Sequence, residues 1–469
     1  MSDEIVLVES LREAEQTPEV HFTLKQKEEL AKKFDEFGVN WIEHSLTASE
    51  YSLDETKKLM ALGLKKAKIL PHARAFLEDL EVARKNDIER IAIYLSVSDV
   101  QLKYKLKMSK EEAEKRIIET CQLAKNYGIT VERFTLEDAS RANIDFVIKC
   151  AKLVEENGAK AVGIPDTCGH ATPTEFGKLI EKVHENVKIP IQVHCHNDRG
   201  LATANCLIGF EKGATQFSTT FNGLGERAGV APTQEVVVNL QDLYNVKLPI
   251  NRKLIPEIAS LVEKYSGIPQ YRLQPITGKN VFTHKAGTHH AGVVRNPATY
   301  ETIAPETLGR TRDLVFGELS GKNGIEYVCN NVYGIKPSNE QLELIVKKIK
   351  SYGHEWGDIL SRDIEFARIL SEVMGLEVEE LTPYVYTEDM AILHVYTESQ
   401  QQNVLKEVAK KIKDKHYVLR VYEVTGDYTF DVMISAPNLS ILNSRIDEIG
   451  SIPKVYRTQT HIVLKAHKH

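Results

Sequence analysis

The chain has 469 residues, a formal net charge of −6 and 42% hydrophobic residues. That length exceeds one ordinary core, so two or three domains are expected. The mixed charge leaves no basic footprint for nucleic acid, and no apolar run approaches the roughly 18 residues of a membrane span. Met1-Ser2-Asp3-Glu4 lacks the positive flank and apolar run of a secretory signal. The six cysteines are scattered without a CxxC and read as thiols in a reducing compartment. A cytoplasmic protein is expected, with neither a nucleic acid nor a membrane as partner.

Over roughly the first half of the chain, short β-rich runs alternate with amphipathic helical runs. Strands are predicted at 5–10, 40–45, 67–73, 90–96, 130–135, 159–167, 191–197 and 215–222. Helical spacing covers 23–37, 75–86, 109–127 and 174–185, with Ser109 placed as an N-cap. Eight strands alternating with helices favour a closed parallel TIM (β/α)8 barrel, and no strand is followed by a dinucleotide or P-loop glycine pattern.

Barrel chemistry sits at the C-terminal ends of the strands. There the chain places Arg12 and Glu13, His44, His72, Arg133 and Thr135, Thr167, and finally His194 and His196. A core does not gather its charged groups at one end of its strands, so this distribution points to an active site. His194 and His196 share one face of their strand and Cys195 takes the other. Two imidazoles on one face suit a metal ion, although a bare HxH also occurs as two core histidines.

The pattern changes near residue 250. Residues 251–385 carry helices at 254–265 and 339–351, separated by an irregular polar stretch over 275–324 that is too long for a simple connection. His284, His289 and His290 fall within it. Residues 386–469 read strand, helix, strand, strand, helix, strand, a ferredoxin-like βαββαβ unit with Gly426-Asp427 at its central turn. Its expected strands are 390–396, 417–424, 428–435 and 455–465, with helices at 402–412 and 439–449. Such a unit leaves a sheet face and an edge exposed, so self-pairing or a ligand at the paired interface is expected. The expected domains are therefore a barrel (1–250), helical accessory subdomains (251–385) and a ferredoxin-like regulatory domain (386–469).

Several stretches together resemble one enzyme family. Ser10-Leu11-Arg12-Glu13-Ala14-Glu15-Gln16 is similar to the first signature of the homocitrate, isopropylmalate and citramalate synthases. The segment from Val193 to Asn205 resembles their HxHND signature, and Asn222 to Gly229 their GxGER loop. Thr283 to Gly292 and Thr299 to Arg310 resemble two accessory motifs, and the last unit resembles the amino-acid-binding domain of leucine-responsive regulators.

The resemblance implies condensation of acetyl-CoA with a 2-oxo acid, followed by thioester hydrolysis. It implies that Glu13, His194 and His196 hold a divalent cation (Mg, Mn or Zn), and that Arg12 stabilises the developing alkoxide while Glu226 orients it. His289 with Tyr300 would remove the acetyl proton, delivered from the same chain or a neighbouring subunit. Gln16, His72, Arg133, Thr135 and Thr167 would grip the acceptor with Arg12, and His44 is expected to face the same pocket.

Glu13 and Val230 match homocitrate synthases, so 2-oxoglutarate is the expected acceptor. Isopropylmalate, citramalate and Re-type citrate synthesis are the alternatives. A lysine effector and a homodimer or larger homo-oligomer are also implied. Val8 and Ala14 depart from the family's aspartate and glycine, and they motivate a competing reading as a catalytically degenerate amino-acid sensor.

Overall fold

A computed structural model describes residues 4–377, 381, 389–398, 401–415, 417–436 and 439–463. Eight parallel strands close into a barrel, each paired with the next and the last with the first. They are β1 (Val6–Ser10), β2 (Trp41–Ser45), β3 (Lys68–Arg74), β4 (Arg90–Ser96), β5 (Thr130–Glu137), β6 (Val162–Asp166), β7 (Ile191–Cys195) and β8 (Ala214–Thr219). All eight expected strands are present, and the TIM barrel is the fold.

The period-two alternation of these strands separates two environments. Leu7, Ile42, Ile69, Ile93, Phe134 and Phe217 point outward and bury themselves against the surrounding helices. The inward positions are polar towards the C-terminal end: Ser10, Glu43, His72, Arg133, His194 and Ser218. The outer face thus holds the barrel together while the inner face is left for chemistry. Three surrounding helices, Leu24–Phe37, Lys110–Asn126 and Pro173–His184, start with reciprocal capping boxes at Thr23/Gln26, Ser109/Glu112 and Thr172/Glu175. Each box satisfies two amide groups that an uncapped first turn would leave open.

The chain forms two compact units. The first continues past the expected boundary at 250. Helix Ile255–Ser266 buries Ile255, Ile258 and Val262 in the barrel's own core, and the unit runs to Phe282 and takes in Ile303–Thr311.

The second unit comprises Thr283–Thr302 and the chain from Arg312. A three-stranded sheet of β9 (Thr283–His284), β10 (Asp313–Phe316) and β11 (Ile359–Leu360) packs with helices Lys322–Asn331, Asn339–Trp356 and Ile364–Met374 around Phe316, Ile345 and Phe366. The stretch 275–324, read from sequence as irregular, holds β9, β10 and a helix at Gly287–Arg295. Gly287, Thr288 and two histidines are weak helix formers, which hid that helix from a periodicity argument.

The last part of the unit is an antiparallel sheet of β12 (Asp389–Thr397), β13 (Val418–Glu423), β14 (Phe430–Ala436) and β15 (Val455–Val463), in the order β13-β14-β12-β15. Helices Gln402–Lys413 and Leu439–Gly450 share its core with Leu393, Phe430 and Val432. This is the expected βαββαβ unit. The expected boundary at 385/386 lies outside the described residues, as do Leu464 and Lys465 of the last expected strand. Among the described residues no helix is long and apolar enough to cross a membrane.

Candidate active site

The C-terminal end of the barrel opens into a cleft of about 380 Å³. Every barrel residue expected at the site lines it except His44. Glu13 follows β1 on a short helical turn that Ser10 caps by accepting from the Glu13 N–H. Across from it, β7 presents His194, with His196 just past the strand end.

The ligand-capable atoms of Glu13, His194 and His196 lie within 4.8 Å of one another. His194 Nδ1 is 3.1 Å from the Ser218 carbonyl, which can only accept, so Nδ1 carries the proton and Nε2 keeps its lone pair. That Nε2 is buried without a hydrogen-bond partner. The two Nε2 atoms sit 3.7 Å from different oxygens of Glu13. This is beyond a hydrogen bond and within the roughly 4.2 Å that two metal–ligand bonds of about 2.1 Å span.

Burial lowers the pKa of His194, and burial together with the His194 ring pushes His196 down to about 3. Burial works against the Glu13 carboxylate, but Arg12, His194 and His196 outweigh it and hold its pKa below the usual range. Two neutral imidazoles beside an ionised carboxylate form a donor set that fits a divalent cation.

The opposite wall is built on a carboxylate that sequence reasoning missed. Glu43 is completely buried, accepting from Ser10 Oγ at 3.0 Å and Arg12 Nε at 2.7 Å through Oε1, and from Arg133 Nη2 at 2.5 Å through Oε2. Burial opposes its charge, yet His72, Arg133 and Arg12 hold its pKa well below the usual carboxylate value. Glu43 therefore fixes both arginines. Arg12 reaches on to Glu13 Oε2 at 2.9 Å, and Arg133 Nε donates to Thr135 Oγ1 at 2.8 Å.

Arg133 Nη1 is buried without a partner. His72 stacks on Tyr94 with centroids 5.0 Å apart, and burial holds its pKa well below the ordinary value. Thr167 accepts the Asp138 N–H through Oγ1. With its amide turned to satisfy both neighbours, Gln16 donates to Glu13 Oε2 at 3.3 Å and accepts from Arg12 Nη1 at 3.2 Å.

Two expectations need correction. His44 does not face the cleft. It points outward between Lys27 and Thr56, with Nδ1 2.8 Å from Thr56 Oγ1 and Nε2 3.4 Å from Lys27 Nζ. Strand alternation makes this unavoidable, because Glu43 and Ser45 occupy the inner face on either side of it. Burial pushes its pKa down to about 4, so it is a neutral packing residue. Arg12 is oriented by Glu43 and Glu13, not by Glu226, whose side chain is exposed and whose N–H lies 3.3 Å from Glu13 Oε1.

The loop that carries Glu226 approaches closely. A Cβ on Gly225 would lie 3.2 Å from Glu13 Oε1, and one on Gly229, at φ +80°, would strike the Gly223 carbonyl at 1.9 Å. Within the second unit, the His289 and Tyr300 rings stack at 3.9 Å. Gly292, one turn after His289 on the same helix, makes room for this, since a Cβ there would sit 2.7 Å from the tyrosine ring.

A closed parallel barrel with a carboxylate and two imidazoles at its C-terminal mouth defines a class, and residues 5–262 match the family described as HMGL-like. Residues 276–356 match "Homocitrate synthase post-HMGL domain-like", and residues 390–469 match the Lrp/AsnC ligand binding domain. The chain belongs to the homocitrate synthase family and is an acyl-CoA-dependent condensing enzyme.

It is 38% identical to a homocitrate synthase of Sulfurisphaera tokodaii over 98% of this chain and 99% of that one. It is 37% identical to one from Saccharolobus islandicus, over 98% of both chains. A Bacillus subtilis HMG-CoA lyase shares the barrel fold, with a TM-score of 0.51 and 20% identity over 57% of this chain and 95% of that one.

Proposed function

We propose that the protein condenses acetyl-CoA with 2-oxoglutarate and hydrolyses the thioester, giving homocitrate and CoA. The observation that carries the choice of acceptor is the wall of His72, Arg133 and Thr135. It holds a buried guanidinium nitrogen without a partner on strands across the barrel from the ligand set. A second carboxylate entering a buried pocket is tolerated only with charged or strongly hydrogen-bonding partners. A branched aliphatic acceptor would leave those groups unpaired. A shorter pocket would favour oxaloacetate, the acceptor of Re-type citrate synthesis, but His44, expected to face this pocket, lies outside it and does not shorten it. The presence of Arg12, Glu13, His194 and His196 together in the cleft also argues against a degenerate sensor.

Glu13, His194 and His196 would hold the divalent cation, which when bound supplies Lewis-acid polarisation of the acceptor's keto oxygen. Arg12, fixed by Glu43, donates to the charge that develops on that oxygen. Gln16 and Thr167 hold the acceptor's near end, and Arg133, His72 and Thr135 its far carboxylate. His289 takes the proton from the acetyl methyl group, with Tyr300 against its ring.

2-Oxoglutarate is expected to exceed 2-oxoisovalerate by more than about tenfold in kcat/KM, since a polar pocket rejects apolar analogues at least this strongly. His72→Leu should erode that ratio while metal binding is kept. A higher kcat/KM for 2-oxoisovalerate or pyruvate in the unaltered enzyme would refute the reading of this wall.

The C-terminal unit is assigned to feedback by an amino acid, lysine being the effector that fits a cytoplasmic homocitrate synthase acting in lysine formation through 2-aminoadipate, as a homodimer or larger assembly. Support comes from the match to an amino-acid-binding domain at residues 390–469. Inhibition by lysine should disappear in a chain ending near residue 385 while condensation remains. Equal inhibition of the shortened chain would place the effector at the acceptor site instead.

A further inference from the structure

Glu9 is a buried carboxyl that the chemistry above does not use. It stands beside Val8, where the family's signature has its acid one position earlier. Alternation turns Val8 into the barrel and Glu9 out of it. There Glu9 is 3% exposed, its Oε1 accepts the Phe221 N–H at 2.6 Å, and its Oε2 lies 2.6 Å from Thr233 Oγ1, which in turn is 2.8 Å from Thr219 Oγ1.

Phe221 and Thr233 are the two ends of the glycine-rich loop. Between them, that loop touches both parts of the ligand set. Gly225 N donates to Thr17 Oγ1 at 2.7 Å, and the Glu226 N–H lies 3.3 Å from Glu13 Oε1. On its return the loop pairs with the chain around His196, through Asn197 N to the Gly229 carbonyl at 2.9 Å and Ala231 N to the Cys195 carbonyl at 3.0 Å.

We propose that Glu9 is a positioning residue: by clasping both ends of the 221–233 loop it sets where that loop presses on Glu13 and on the backbone of His196, and so fixes the geometry of the ligand set. The inference rests on the reading of Glu13, His194 and His196 as metal ligands. The partners of Glu9 are a backbone N–H and a hydroxyl, with no charge among them. Burial, against these two hydrogen bonds, raises its pKa to about 8, so the clasp works as a neutral carboxyl at neutral pH. A group with a raised folded pKa stabilises the fold below its unfolded value and loses that contribution as pH rises through the folded one. Glutamine keeps the shape and both hydrogen-bonding positions without titrating.

The test is the affinity of the full-length protein for Mn²⁺, measured by competition with a chromophoric chelator. Glu9→Ala should bind about 10- to 100-fold more weakly, the usual cost of losing a partner behind a ligand, while Glu9→Gln stays within about threefold of the unaltered protein. Between about pH 6 and about pH 9 the Tm of Glu9→Gln should fall less than that of the unaltered protein. If Glu9→Ala does not fold, Thr233→Val, which removes one half of the clasp, should weaken binding about tenfold. Unchanged affinity in Glu9→Ala, or in Thr233→Val where that variant stands in, overturns the proposal. If the unaltered protein binds no Mn²⁺, the ligand assignment fails and the clasp with it.

Discussion

His194→Ala is expected to lower kcat/KM on the order of 10³-fold or more, the scale on which a lost metal contact or oxyanion donor acts. The Nε2 of His194 has no other task in the structure: it is buried, unpartnered, and turned towards Glu13 by the bond from Nδ1 to the Ser218 carbonyl. Removing the ring leaves one imidazole and one carboxylate, too few to hold a cation with positions open for substrate. Chelator-treated unaltered enzyme should show the same loss and recover with a divalent cation, whereas the variant should recover only in part. Full activity in metal-free protein would end the assignment.

The second large effect is structural. Glu43→Ala removes the one carboxylate shared by Arg12 and Arg133 and leaves Arg133, 3% exposed, without a counter-charge. Breaking a buried pair from one side costs about 3–5 kcal/mol, because the remaining charge is desolvated and unpaired. The urea midpoint should fall accordingly, and activity with it, since Arg12 loses its main anchor.

The pH dependence follows from the direction of the shift. A carboxylate whose folded pKa is depressed stabilises the protein above its unfolded pKa, and that contribution is lost as pH falls through the folded value. The unaltered protein should therefore lose more stability on acidification than Glu43→Gln. A loss below about 1 kcal/mol in Glu43→Ala, the range of a surface pair, would show that the arginines find other partners.

The barrel was legible because its eight strands are short apolar runs bounded by polar turns, with amphipathic helices between them. The ligand set was legible from HxH at a strand end and a glutamate after the first strand. What the sequence concealed was direction and long-range pairing. In Trp41-Ile42-Glu43-His44-Ser45 both ionisable residues are plausible site groups, and only the facing of the strand decides that Glu43 turns in and His44 out.

Glu9 meets a threonine more than two hundred residues away, a pairing without any local sign. Helix Ile255–Ser266 was visible from its spacing, but its place in the barrel core was not, because periodicity shows that a face is apolar without showing what covers it. The helix bearing His289 was missed for the opposite reason, its residues having little helical preference.

The most direct test of the central claim is identification of the product, by mass spectrometry, when the enzyme is given acetyl-CoA with equal amounts of 2-oxoglutarate, oxaloacetate, 2-oxoisovalerate and pyruvate. Homocitrate should dominate, with free CoA released in equal amount. Isopropylmalate or citramalate as the main product would contradict the assignment of His72, Arg133 and Thr135 to a second carboxylate, and citrate would contradict the choice of 2-oxoglutarate over the shorter oxaloacetate.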